Sequence, residues 1–115
     1  MEKVDLTALL TPLEGIHKPA RYLGGEWNQP PATELESRPR RLVLCYPDLY
    51  ELGMSNLGLK VLLEAARGRE RWAAERVFMP DTDLAGRLGE RRVPLFSLET
   101  RRPLAGADVL GFTLQ

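Results

Sequence analysis

The sequence predicts an α/β chain built on a partial doubly wound parallel sheet of about three main strands, preceded by a helix and an arm. Three observations carry this. The apolar run Leu42 to Tyr46 has no polar alternation, as in a strand covered on both faces by helices. Leu59, Leu62, Leu63 and Ala66 then recur at the spacing of an amphipathic helix. The same strand-then-helix order returns between Ala74 and Leu88. In open sheets of this kind ligands bind beyond the carboxyl ends of the strands, so Pro47 to Asn56 is the default place for function.

Element by element, Leu6, Leu9, Leu10 and Leu13 form a one-sided stripe that predicts a leading helix. From Lys18 to Asn28 periodicity fades and glycines accumulate, which reads as an arm or strap. Asn28 to Arg40, with Pro30, Pro31 and Pro39, reads as a polar connector. Residues 1–40 are thus expected to form a helix and extended arm, and 41–115 the domain proper. Pro47 stops the first strand, Ser55 or Asn56 caps the helix that follows, and Gly68 ends it. Ala74 to Met79 reads as a second strand, and Pro80-Asp81 leads into a helix across Leu84 and Leu88. Val93 to Leu98 reads as a short strand and Asp108 to Leu114, rich in β-branched and aromatic residues, as a firmer one. The whole is Rossmann-like or flavodoxin-like. A sheet ending there exposes an unpaired apolar edge, which points to a fragment, a split gene product or a partner-dependent half.

Composition narrows the function classes. With 43% hydrophobic and 28% charged residues in 115, the chain has the profile of one folded domain rather than a disordered segment. Sixteen basic residues balance sixteen acidic ones, so no long-range field gathers nucleic acid; the pairs Arg40-Arg41, Arg91-Arg92 and Arg101-Arg102 read as solvated or interdomain arginines. The single cysteine, Cys45, rules out an internal disulfide framework or multi-cysteine metal site within this chain and fits a buried strand position. No apolar stretch reaches the length of a membrane span or signal core, so a cytoplasmic location is expected. His17, the only histidine, has no companion ligands in sequence and reads as a surface residue.

Several ordered blocks carry a resemblance: Lys18-Pro-Ala-Arg-Tyr-x-Gly-Gly-Glu26, Tyr46-Pro-Asp-x-Tyr-Glu-x-Gly-Met-Ser55, Glu75-Arg-Val-Phe78, Pro94-Leu-Phe-Ser-Leu-Glu99, Arg101-Arg-Pro-Leu104 and Gly111-Phe-x-Leu-Gln115. Together they resemble the N-terminal region of radical SAM proteins that contain a cobalamin-binding domain, a family of uncharacterised function. The resemblance implies a Rossmann-like domain of the cobalamin-binding type, followed by a radical SAM barrel. The barrel's Cys-x3-Cys-x2-Cys motif is absent here, so the 4Fe-4S cluster and S-adenosylmethionine belong to a barrel domain or subunit acting as partner.

In cobalamin domains of the methionine-synthase type the loop after the first strand reads Asp-x-His-x-x-Gly. Here it reads Asp48-Leu-Tyr-Glu-Leu-Gly53, with Tyr50 in place of the histidine. A neutral phenol, with its pKa of about 10, is a poor substitute for imidazole. The resemblance therefore implies cobalamin in its base-off form without a histidine ligand, on a face lined by Pro47, Asp48, Tyr50, Gly53, Met54, Ser55 and Asn56. The alternative is a degenerate scaffold without cofactor, because each of these residues also has a local job: Pro47-Asp48 ends the strand, Gly53 eases a turn and Ser55 caps a helix. The block Arg21, Tyr22, Gly24, Gly25 and Glu26 is expected to dock on the barrel, its glycines allowing close backbone approach. A phosphate loop at Gly53 to Gly58 is excluded, since Leu59 stands where lysine is required.

Overall fold

The computed structural model describes residues 3–26 and 29–113; Asn28 of the arm and Leu114 of the last predicted strand lie outside them. One open, wholly parallel sheet has β1 (Arg40–Tyr46) at its centre, β2 (Trp72–Phe78) on one side and β3 (Val109–Phe112) on the other. Arg40 to Tyr46 face Trp72 to Phe78, and Leu42 to Cys45 face Val109 to Phe112, in register. This is the predicted α/β architecture, a truncated Rossmann or flavodoxin-like sheet.

Strand residues alternate between two faces. On one, Leu44, Tyr46 and Ala74 pack against Leu59 and Leu63 of α4 (Leu57–Arg67). The predicted caps are in place: the Asn56 side chain accepts from the Leu59 amide at 2.8 Å, and Gly68 follows the last turn. Leu62, expected in the buried stripe, is instead 50% exposed. On the other face Val43, Cys45 and Val77 are covered by Leu104, at the start of a single 3-10 turn (Leu104–Gly106), and by Ala107, a much shorter helical cover than α4 gives the first face.

The second helix, α5 (Thr82–Arg91), turns Leu84 and Leu88 toward the arm. Leu6, Leu9 and Leu10 of α1 (Leu6–Leu10) join Ile16, Tyr22 and Phe96 there in one cluster. A buried leucine contributes about 1.5–3 kcal/mol, so this cluster fastens the arm more firmly than exposed ion pairs would. Arg87 and Arg91, one turn apart on α5, add bonds to the carbonyls of Leu9, Pro12 and Glu14 and of Ala8, Leu9 and Thr11. Within the predicted connector a short helix, α2 (Ala32–Glu36), seats Leu35 with no exposed surface.

The two sheet edges differ. Along the outer edge of β2, the Leu98 amide donates to the Arg76 carbonyl and the Arg76 amide donates to Glu99 Oε1, both at 2.8 Å. The segment Val93 to Leu98, predicted as a strand, is not one: it carries a single antiparallel bridge, Phe96 to Pro103. Pro94 has no amide proton to extend a ladder. Beyond β3 no strand pairs among the described residues, and Val109, Leu110 and Phe112 are exposed.

Below the sheet lies a buried charged knot. Glu75, with no exposed surface, accepts from Arg41 Nε at 2.7 Å, Arg102 Nη2 at 2.8 Å, Ser97 Oγ at 2.8 Å and the Thr100 hydroxyl. Burial alone would raise its carboxyl, but the Thr100 and Arg41 hydrogen bonds outweigh it and hold the group below the usual carboxylate range. The knot pins residues 97–103 to the sheet. Among the described residues no helix is long and apolar enough to cross a membrane.

Candidate functional site

Beyond the carboxyl ends of the strands lies a crevice of about 440 Å³ between α5 and the sheet. Its walls are Cys45, Tyr46 and Pro47 at the end of β1, Val77 to Pro80 across the end of β2, Ala85 and Leu88 on α5, then Val93, Leu95, Leu104 and Phe112. No charged side chain is among them. Cys45 is 6% exposed, and burial pushes its thiol up, away from a reactive thiolate.

Of the predicted cofactor face, Pro47 lines this crevice. The others are held by their own neighbourhood. Asp48 Oδ1 accepts from the Leu49 amide at 2.7 Å, while its carbonyl accepts from Met79 at 2.8 Å and so joins the two loops. A single helical turn, α3 (Tyr50–Gly53), follows. Gly53 is buried, and a Cβ added there would meet the Phe78 ring and lie 2.9 Å from Tyr46 Cδ1. It is needed for close approach rather than for a turn geometry. Met54 is 40% exposed, the Ser55 hydroxyl donates to the Leu52 carbonyl, and Asn56, not Ser55, caps α4.

Tyr50 sets its ring edge-on to Phe78, with centroids 5.3 Å apart, and donates its hydroxyl to Glu26 Oε2 at 2.5 Å. Burial, then the Glu26 carboxylate, push the phenol up to about 12. Burial would raise Glu26, but hydrogen bonds from Tyr50 and Arg76 hold it below the ordinary range. Arg76 Nη2 reaches Glu26 Oε1 at 2.5 Å and its Nε reaches Glu99 Oε2 at 2.8 Å. Arg67 approaches the same Glu99 oxygen at 3.1 Å.

The arm block faces these loops. Arg21, 7% exposed, pairs with Asp81 at 3.0 Å and Glu51 at 3.2 Å, and Tyr22 is buried in the cluster on α5. Gly24 and Gly25 both adopt positive φ, +70° and +72°, and a Cβ on Gly24 would lie 2.8 Å from the Leu98 carbonyl. His17 is exposed, and among the described residues its hydrogen bonds are made by its backbone, to the Asp83 side chain and from Arg21. The residues that sequence reasoning missed are the crevice walls from Met79 to Phe112, single apolar residues separated along the chain that share no motif.

These residues do not fit a ligated cobalt: Tyr50 stands at the ligand position and its hydroxyl is committed to Glu26. One cysteine likewise does not fit a three-cysteine iron–sulfur cluster. No curated protein and no solved structure matches the chain. A family model for the N-terminal region of radical SAM proteins matches residues 58–115, from α4 through β2 and α5 to β3. The chain belongs to that family, and a further radical SAM domain is implied beside it.

Proposed function

We propose that the chain is a non-catalytic scaffold within a radical SAM protein, and that its carboxyl-end crevice and β3 edge receive the radical SAM barrel. One observation carries the reading: polar groups around the crevice are satisfied by the chain itself, while Met79, Leu95 and Phe112 on its rim are exposed at 54%, 38% and 64%. Clustered apolar surface of this kind marks a contact with another protein surface. The test compares the whole protein with its Phe112→Glu variant by cross-linking mass spectrometry. Cross-links from the rim to the barrel that disappear in the variant support the reading. Their absence from the parent protein refutes it.

A second reading follows from where the crevice lies, at the carboxyl ends of parallel strands, where α/β sheets hold ligands. It is base-off cobalamin, held by shape with no residue of this chain on the metal. Hydroxocobalamin mixed with the whole protein and retained through desalting with a base-off visible spectrum supports it. Colourless protein ends it.

A further inference from the structure

Two loops leave the carboxyl ends of β1 and β2, and one short stretch of the arm is fastened to both. Arg21 joins Glu51 on the first loop to Asp81 at the head of α5 on the second, at 3.2 and 3.0 Å. Five residues later Glu26 holds Tyr50, beside Glu51 on the first loop. Between these two anchors the paired glycines at positive φ supply the bend.

Glu26 does two things. Arg76 and Arg67 share Glu99, so Glu26 Oε1 supplies the second carboxylate to Arg76 at 2.5 Å, while its Oε2 is left to Tyr50, which has no other acceptor among the described residues. Tyr50 in turn rests on Phe78, which belongs to the crevice wall. The fastening therefore bears on the mouth of the crevice.

We propose that Arg21–Glu26 is a strap that sets the width of the crevice mouth: fastened, it holds Tyr50–Gly53 down on Phe78; released, it lets that turn lift and admits an apolar ligand. The inference goes beyond the scaffold reading and holds whether or not a barrel docks there. In the device, Glu26 and Arg21 are positioning residues.

The experiment uses the whole protein with Tyr50→Phe, which keeps the ring and deletes the donor, with Glu26→Gln, and with both together. Hydrogen exchange is followed at Gly53 and Met54, whose amides donate to the carbonyls of Leu49 and Tyr50, and an anilinonaphthalene sulfonate dye reports apolar access. Tyr50→Phe is expected to speed exchange at these two amides about tenfold, raise dye fluorescence and leave β1 and β2 unchanged; Glu26→Gln, which also gives up the carboxylate on Arg76, moves the same readouts, and the double variant falls short of the sum of the singles, as expected of partners in one bond. Three outcomes overturn the proposal: unchanged exchange at Gly53 and Met54, exchange rising equally in β1 and β2, or fully additive single effects. Should Glu26→Gln fail to fold, Tyr50→Phe alone decides, because it removes one oxygen and no packing.

Discussion

Glycine to alanine at two positions should shift stability in opposite directions. Gly86 lies in the exposed interior of α5, and a Cβ there meets nothing within 4 Å. Alanine gains about 1 kcal/mol in such a site because glycine loses more backbone freedom on folding. At Gly53, the last residue of α3, the added carbon runs into the Phe78 ring and crowds Tyr46 at 2.9 Å. The turn must lift or two rings must move, and overpacking of this kind costs about 1–3 kcal/mol. The two variants should therefore differ by about 2–4 kcal/mol. Urea unfolding of the whole protein, followed through the transition that includes this sheet, measures the difference with an unchanged slope for both. A Gly53→Ala protein as stable as Gly86→Ala would mean that the turn does not sit on Phe78, and the account of the loop as self-packed would fall with it.

Glu75→Ala should cost about 3–5 kcal/mol, because Arg41 is left buried without its carboxylate; a loss below about 1 kcal/mol, typical of an exposed pair, would show the knot to be open to water. Tyr50, pushed up to about 12, should stay neutral through the ordinary phenol range near about 10, so a titration at 295 nm loses a component near that raised value in Tyr50→Phe. The sign follows from the raised value: its stabilisation is complete below the ordinary phenol pKa of about 10 and drains away as pH climbs toward the folded value. Glu26 and Glu75 are lowered, so their contribution is present above the ordinary carboxylate pKa of about 4.3 and is lost as pH falls through the folded values. Glu26→Gln together with Glu75→Gln should flatten the acid limb of a thermal-stability profile.

The parts of the fold legible in the sequence are those whose cause is local. Five successive apolar residues mark β1, a 3.6-residue stripe marks α4, and Asn56 and Gly68 mark its ends. Where the cause is remote, sequence reading failed. Five residues at Ala32–Glu36 show no period, and α2 exists because Leu35 finds a buried seat. Leu62 shares the stripe of α4, yet Leu59 and Leu63 alone are buried there by the sheet. Val93 to Leu98 has strand composition, but it meets β2 through the Leu98 amide alone, and the next contact is the side chain of Glu99. The candidate site divides in the same way. The Asp48 to Gly53 turn was visible as punctuation, whereas the crevice walls are single apolar residues spread from Cys45 to Phe112 without a motif. Glu75 and Arg76 did leave a trace, two charges in the middle of an apolar strand.

The unequal edges of the sheet limit where another surface can add a strand. On β2 the Arg76 carbonyl and amide are already taken by Leu98 and Glu99, whereas β3 has no strand beside it among the described residues. Strand addition from another surface is therefore directed to β3 and hindered at β2. That protection resides in a side-chain carboxylate and one amide rather than in a gatekeeping proline or lysine.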